Sequence, residues 1–161
     1  MFKVKPMTRR NFFGAGVCAM TSTAGLLEAS TAQARQESGR ASEAVVRKYY
    51  KLWETNDWSP MDQLLASTFT FTSAAGDDHI SKSVFKTQCW DTQIGNTKGF
   101  DLLQLIGIGN SAFVMYLGHT KNNHSFRNVE FLQVRDGKVI SIECYFGQKN
   151  SFPTAASAEK Q

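Results

Sequence analysis

The sequence predicts an α+β domain in which three helices pack on the concave side of a curved antiparallel sheet. Between residues 42 and 90, apolar side chains recur mostly at three- and four-residue spacing, which indicates amphipathic helices. From residue 100 onward the pattern changes to the period of two that is typical of strands, and the connections become short. Strands joined by such short turns must be antiparallel neighbours.

The helical part contains two clear start signals. Ser42 is the expected N-cap of the first helix, and Ser59 followed by Pro60 supplies a capping hydroxyl and a proline at the first position of the second. Asp78 or Ser81 is expected to cap the third. The predicted helices, in chain order, are Ser42–Asn56, Ser59 to Leu65 or Ala66, and Ser81 to about Trp90, followed by a loop over Asp91–Gly99.

Five extended segments are predicted. The first lies between the second and third helices, where phenylalanine and threonine alternate. Arg135-Asp136-Gly137 joins the last two, and Asp-Gly is a strong hairpin signal. The predicted strands are Thr68–Thr72, Phe100–Ile108, Ala112–Thr120, Ser125–Val134 and Lys138–Phe146.

Residues 1–34 have the three parts of an export signal: a basic start, a mildly apolar middle and a small-residue end at Ala32-Gln33-Ala34. The stretch Thr8-Arg9-Arg10-Asn11-Phe12-Phe13 resembles the twin-arginine consensus. We therefore predict recognition by the twin-arginine export machinery, cleavage after Ala34, and a periplasmic or secreted protein. No stable membrane anchor is expected, because Val17 stands where a lipoprotein with Cys18 as its anchor needs a small residue.

The remaining chain is expected to divide into a flexible lead-in over 35–41, one domain over 42–147 and a disordered tail over 148–161. Three of the four net positive charges lie in the predicted leader, so the rest is nearly neutral. The domain has no basic stripe, and we expect no binding to nucleic acid. The mature chain keeps Cys89 and Cys144, which could pair in an oxidising compartment or be two small buried side chains.

The element order and several segments resemble the nuclear transport factor 2-like superfamily, and specifically its SnoaL-like branch. The resemblance spans Ser42–Gly147. It implies a cone-shaped, cystatin-like α+β roll whose sheet curls around the helices and leaves an apolar pocket open at one end, suited to a small hydrophobic molecule. It rests on Asp77-Asp78-His79-Ile80-Ser81-Lys82, Cys89-Trp90, Arg127-Asn128-Val129-Glu130-Phe131, Arg135-Asp136-Gly137-Lys138-Val139 and Ile142-Glu143-Cys144-Tyr145-Phe146-Gly147.

The pocket implied by the resemblance would be lined by aromatic side chains, although aromatic residues at helix and strand spacing also build ordinary cores. The predicted ligand-binding residues are Tyr50, Trp53, Phe71, Phe85, Trp90 and Glu130, and Tyr49, Trp58, Phe69 and Phe113 are further candidates. Glu130 shares one strand face with Asn128, and Glu143 shares one with Tyr145. Only one of the alternating sets of these strands can point inward, and the sequence leaves that register open.

Asp78 or His79 is the predicted acid/base group, with Tyr49 or Tyr50 as a hydrogen-bond donor. Two carboxylates beside an imidazole could hold a general base near neutral pKa, although Gly-Asp-Asp is also ordinary turn chemistry. The related ketosteroid isomerases carry an aspartate base at the end of the first strand, where this chain has Ser73. His119 and His124 flank a hairpin at a spacing that matches no metal pattern, so no metal or other cofactor is expected.

Two functions follow from this sequence analysis. One is a metal-independent lyase or isomerase that acts on a small hydrophobic carbonyl compound inside the cone. The other is a non-catalytic ligand-binding or dimeric assembly module, which the missing strand-end carboxylate favours. A homodimer is expected in either case. No phosphate loop, zinc pattern or nucleophile elbow is present in the sequence to support other enzyme classes.

Overall fold

A computed structural model describes the backbone of residues 23–146 and the side chains of residues 30–146. It confirms the predicted α+β class, with helices packed against one mostly antiparallel sheet. The twin-arginine stretch and the predicted tail from residue 148 lie outside the described residues. The helices are α1 (Thr23–Thr55), α2 (Trp58–Leu64) and α3, which runs through Lys82–Phe85, a π-helical turn at Lys86–Trp90 and a last turn at Asp91–Gln93.

The sheet has six strands in the order β2-β1-β6-β5-β4-β3. β1 pairs with β6 in parallel, and every other neighbouring pair is antiparallel. Register shifts between Leu102 and Gln104 and between Gln133 and Val134 interrupt the ladders, and such bulges bend a sheet. The strands are β1 (Leu65–Ser73), β2 (Ile80–Ser81), β3 (Thr97–Ile108), β4 (Ser111–Thr120), β5 (Ser125–Arg135) and β6 (Lys138–Tyr145).

Helix α1 begins earlier than the sequence analysis predicted. Residues 35–41, expected to be a flexible lead-in, are helical, and Ser42 lies inside the helix instead of capping it. The Ser42 hydroxyl donates to the carbonyl of Gly109 at 2.8 Å, and the Glu43 carboxylate accepts from the amide of Gly107 at 2.9 Å. These bonds dock the helix on the β3–β4 turn, a tertiary contact that residue spacing does not reveal.

The helix and the turn approach each other through two glycines. A Cβ at Gly39 would lie 2.5 Å from the carbonyl oxygen of Gly107, and a Cβ at Gly107 would lie 2.0 Å from the carbonyl oxygen of Gly39. Both distances are far below van der Waals contact, and the atoms are backbone atoms that cannot rotate away. Glycine at both positions therefore sets how closely α1 packs on the sheet.

Other element boundaries also differ from prediction. Asp57, and not Ser59, caps α2 by accepting from the Ser59 amide at 2.9 Å. Ser81 caps α3 as expected. The predicted loop over Asp91–Gly99 instead contains the last helical turn and the first residues of β3. The predicted Asp-Gly hairpin turn is confirmed, with positive φ at both Asp136 and Gly137, as a type I′ turn requires.

The structure settles which side of the last two strands faces the helices. Along β5, Asn128, Glu130 and Leu132 are buried and alternate with more exposed residues. Their partners on β6, Cys144 and Ile142, are buried on the same side. Glu143 and Tyr145 therefore point to the outer, convex face, and the inner face carries the Asn128–Glu130 set.

Candidate functional site

The centre of the cone holds a small cavity between α1, α3 and the inner face of the sheet. Its free volume, counted as the space open to the centre of a water molecule, is about 30 Å³. That is room for about two waters, because one water needs roughly 10–15 Å³ by this measure. Aromatic side chains fill most of the cone. The lining consists of Tyr49, Tyr50, Trp53, Phe71, Phe85, Cys89, Gln93, Phe100, Tyr116, Phe126, Asn128, Glu130 and Cys144.

Glu130 lies at the polar side of this cavity, with only 5% of its surface exposed. The Tyr50 hydroxyl donates to its Oε2 at 2.6 Å, and the Tyr116 hydroxyl donates to its Oε1 at 2.9 Å. Strand alternation positions Glu130 and Tyr116 on the inner face, and the register of α1 brings Tyr50 to them from the opposite layer. The result is one carboxyl group held between two phenols inside an aromatic core.

Burial raises the pKa of the Glu130 carboxyl, because a charged carboxylate loses its hydration inside the cone. Hydrogen bonds from Tyr50, Tyr116 and Cys144 oppose this effect without cancelling it. Burial also raises the pKa of Tyr50 and of Tyr116 well above the ordinary range, and the nearby Glu130 charge adds to both shifts. The tyrosines therefore stay protonated donors at neutral pH, and Glu130 is the cavity group best suited to exchange a proton.

Asn128 extends the polar network by one step. Its Nδ2 donates to the Tyr116 hydroxyl at 3.0 Å and lies 3.8 Å from the Sγ of Cys144. The Tyr116 hydroxyl therefore accepts from Asn128 while it donates to Glu130. A donated hydrogen bond polarises the hydroxyl that receives it, which strengthens the bond that this hydroxyl passes on.

Cys89 and Cys144 are both free and buried, and both line the cavity. Burial raises the pKa of the Cys89 thiol to about 12, and it raises the pKa of Cys144 as well. Thiols in this state are poor nucleophiles, because the thiolate is the reactive form. The sequence left open a disulfide or two separate buried side chains. In the structure, Cys89 and Cys144 are two separate thiols.

Asp78 and His79, the two alternative acid/base residues predicted from the sequence, lie outside the cavity. Their side chains are 83% and 73% exposed, and the His79 Nδ1 contacts the Asp78 carboxylate at the surface. His79 lines a polar groove on the outer face of the sheet together with Thr68, Thr70 and Thr72. Asp78 and His79 lie in the connection between β1 and β2, where the chain has already left the inner face of the sheet. This connection faces solvent and not the cone.

The remaining predicted residues divide into those that line the cavity and those that do not. Trp90 is buried but packs behind the lining, with its ring 4.6 Å from that of Trp53. Phe113 is 48% exposed on the convex face. Ser73 donates to the Asp77 carboxylate at 2.5 Å in the turn after β1. The predicted residues that line the cavity are Tyr49, Tyr50, Trp53, Phe71, Phe85 and Glu130.

Sequence reasoning did not select Tyr116, although a signal for it existed. Along β4, Ala112, Val114, Tyr116 and Gly118 alternate with more exposed residues. Once Glu130 is taken as inward-facing, antiparallel pairing requires Tyr116 and Asn128 to face inward with it. Phe126 follows from the same register, because it lies four residues before Glu130 on β5, and its ring occupies the space that a Cβ on Gly118 would fill, 2.2 Å away.

Among residues 30–146, no group of three or more His, Cys, Asp or Glu side chains is arranged to hold a metal ion. No helix in the described part of the chain has both the length and the apolar character needed to span a membrane.

The sequence profile of the SnoaL-like domain family matches residues 46–142, which is more than half of the chain. The protein therefore belongs to the SnoaL-like domain family. No sequence among the curated proteins compared matches the chain.

Solved structures share its nuclear transport factor 2-like fold. An NTF2-like protein of unknown function from Mesorhizobium loti is 18% identical, with a TM-score of 0.56 over 68% of this chain and 93% of that one. An LEH-like epoxide hydrolase from M. tuberculosis is 14% identical, with a TM-score of 0.56 over 68% and 84%. The epoxide hydrolase/cyclase-like enzyme SalBIII, which has a role in pyran ring formation in the polyether salinomycin, is 12% identical, with a TM-score of 0.61 over 71% and 96%.

Proposed function

We propose that this protein binds a small hydrophobic carbonyl compound in the cone and acts on it by proton transfer, as a lyase or isomerase. The observation that carries the proposal is the buried Glu130 carboxyl between the Tyr50 and Tyr116 hydroxyls. Burying an ionisable group inside an aromatic core costs stability, and perturbed carboxyls of this kind concentrate at functional sites. Glu130 takes the acid/base role that the sequence analysis gave to Asp78 and His79.

In this reaction, Glu130 would accept a proton from a carbon next to the carbonyl group and return it to the same or a neighbouring position. The aromatic lining would hold the apolar body of the ligand and exclude water. Tyr50 and Tyr116 would stabilise the carboxylate in the ligand-free protein. Because the free volume is about 30 Å³, the ligand must displace lining side chains on entry.

The proposal predicts that the protein accelerates exchange of the α-hydrogens of cyclohexanone in deuterated buffer, followed by proton NMR. Glu130→Gln should lower the rate at least about 100-fold, the smaller end of the usual contribution of a general base. Glu143→Gln is the matched control, since Glu143 lies on the convex face, and it should leave the rate unchanged. Equal rates in wild type and Glu130→Gln would contradict the catalytic role.

A non-catalytic binding or assembly module is the second candidate, and a specific observation favours it. Both Glu130 oxygens already accept a tyrosine hydroxyl, and the cavity is small. A polar network that is complete within the protein can serve to fix the packing of helix against sheet. Native mass spectrometry of the exported protein, with a retained apolar molecule but no exchange activity, would support this alternative.

We further propose that the protein is a homodimer joined through the convex face. Large apolar side chains on three neighbouring strands are exposed there, namely Phe113, Val129 and Tyr145, and Phe131 packs against Phe113 with a ring separation of 4.6 Å. Exposed apolar groups at neighbouring positions are typical of association surfaces. Phe113→Glu should convert the dimer to monomer in sedimentation velocity, whereas Lys48→Glu, at an exposed position of α1 on the other side of the sheet, should not. A wild-type monomer would contradict the proposal.

Export through the twin-arginine pathway also remains a proposal. Its support is the Arg9-Arg10 stretch and the position of the hydrogen bonds of Ser38, Ser42 and Glu43 to the β3–β4 turn, which all lie after the predicted cleavage site at Ala34. The side chains of residues 30–37 are exposed, so cleavage there would leave those contacts intact. Replacing both arginines with lysine should leave the protein as an unprocessed cytoplasmic precursor, detected by fractionation and mass. Unchanged processing would contradict this route.

A further inference from the structure

Asn128 carries an atom that no part of the described chain satisfies. Its side chain is 4% exposed and lines the cavity, and its Oδ1 is the one buried side-chain nitrogen or oxygen among residues 30–146 without a hydrogen-bond partner. A buried acceptor without a partner lowers stability, so native proteins rarely retain one unless another molecule, a water or a ligand, supplies the donor.

The local network determines that the free atom is the oxygen and not the nitrogen. The Tyr116 hydroxyl has a single proton, which it donates to Oε1 of Glu130 at 2.9 Å, so that any proton carried by Glu130 lies on Oε2, toward Tyr50. Tyr116 can then only accept from Asn128, at 3.0 Å, and this requires Nδ2 on that side. The orientation that would exchange the two amide atoms puts two acceptors face to face. Oδ1 is therefore the atom of Asn128 that is available to accept a hydrogen bond from a bound molecule.

We infer that the molecule bound in the cone is a hydroxyl-bearing apolar compound whose O–H donates to Asn128 Oδ1. This inference rests on the proposed ligand-binding role of the cone and narrows its ligand class. A carbonyl or ether oxygen is an acceptor and would leave Oδ1 unsatisfied. It therefore cannot be the ligand group that contacts Oδ1 of Asn128. The ligand accordingly has a hydroxyl at the Asn128 end, in addition to any carbonyl that faces Glu130.

The hydrogen bond would also connect ligand recognition to the acid/base group. A donor on Oδ1 polarises the Asn128 amide, which then donates more strongly to Tyr116, and Tyr116 in turn to Glu130. Asn128 is thus a specificity-determining residue that recognises one ligand hydroxyl. Hydrogen bonds through the Tyr116 phenol connect it to Glu130.

Three small aromatic probes of similar shape test the inference: phenol, toluene and anisole. Phenol offers a donor, toluene offers no polar group, and anisole offers an acceptor alone. Dissociation constants for the full chain would be measured by NMR titration of the Asn128 side-chain amide and the Trp53 indole. Phenol should bind at least tenfold more tightly than toluene or anisole, although toluene and anisole are the more hydrophobic.

Asn128→Leu provides the second arm, because leucine has a similar size but no acceptor. It should remove the preference for phenol while toluene still binds. Toluene or anisole binding wild type as tightly as phenol would overturn the inference and leave the ligand-binding cone intact. Absence of binding by all three probes would overturn the proposed cone pocket itself, and the inference with it. The comparison of probes on wild type holds even if the variant does not fold.

Discussion

Replacing Gly107 with alanine should lower the free energy of unfolding by about 3 kcal/mol, the upper part of the range for overpacking a close contact. The added Cβ would lie 2.0 Å from the Gly39 carbonyl oxygen and 2.9 Å from the Glu43 side chain. Because the first of these is backbone in the middle of α1, the helix must move away from the sheet. Urea unfolding followed by circular dichroism would measure the loss.

Gly95→Ala is the matched control for this effect. Apart from Gly95 itself and its two chain neighbours, no atom of the described chain lies within 4 Å of a Cβ placed there, and its backbone has no positive φ. The variant should stay within about 0.5 kcal/mol of wild type, as is usual for surface changes. A Gly107→Ala protein as stable as Gly95→Ala would mean that α1 does not dock on the β3–β4 turn as described.

Glu130→Gln should change how stability depends on pH. The pKa of Glu130 is raised in the folded state, so the native protein keeps this proton at pH values where the unfolded chain has released it. The stabilising contribution is complete below the unfolded pKa and is lost as pH rises through the folded pKa, with a slope of at most about 1.4 kcal/mol per pH unit. Glutamine cannot ionise, and the variant should lack this decline.

Urea unfolding of both proteins between pH 4 and pH 8 measures the effect as the difference between wild type and variant. As the pH increases, the free energy of unfolding of wild type should fall relative to that of Glu130→Gln. Glu143→Gln is the control for removing a carboxyl that lies on the convex face, outside the cone. A difference between wild type and Glu130→Gln that stays constant with pH would show that Glu130 does not retain a proton in the fold.

The fold was predictable because its signals are local. The apolar spacing from Val45 to Trp53 and the alternation along β4 and β5 identify element types, and Asp136-Gly137 identifies a hairpin. The early start of α1 was not predictable in this way. The part of α1 before Ser42 packs on the sheet through the close approach of Gly39 to Gly107, which are 68 positions apart in the sequence.

The candidate site was predictable only in part. Tyr50, Phe71 and Phe85 follow from inward-facing positions, but the acid/base assignment to Asp78 and His79 followed residue type alone. The chemistry of Glu130 depends on burial and on two phenols from other elements, and neither is visible in the segment around it. Resolving the register of β5 would have been sufficient to bring Glu130, Asn128 and Tyr116 together.

The most direct test of the account is the pKa of the Glu130 carboxyl in the folded protein. Carbon NMR of protein labelled at the glutamate carboxyl carbons, with Glu130→Gln to assign the resonance, would follow its titration. We predict a pKa above the ordinary value of 4.5. A Glu130 resonance that titrates at or below that value would contradict a proton-carrying group at the centre of the cone.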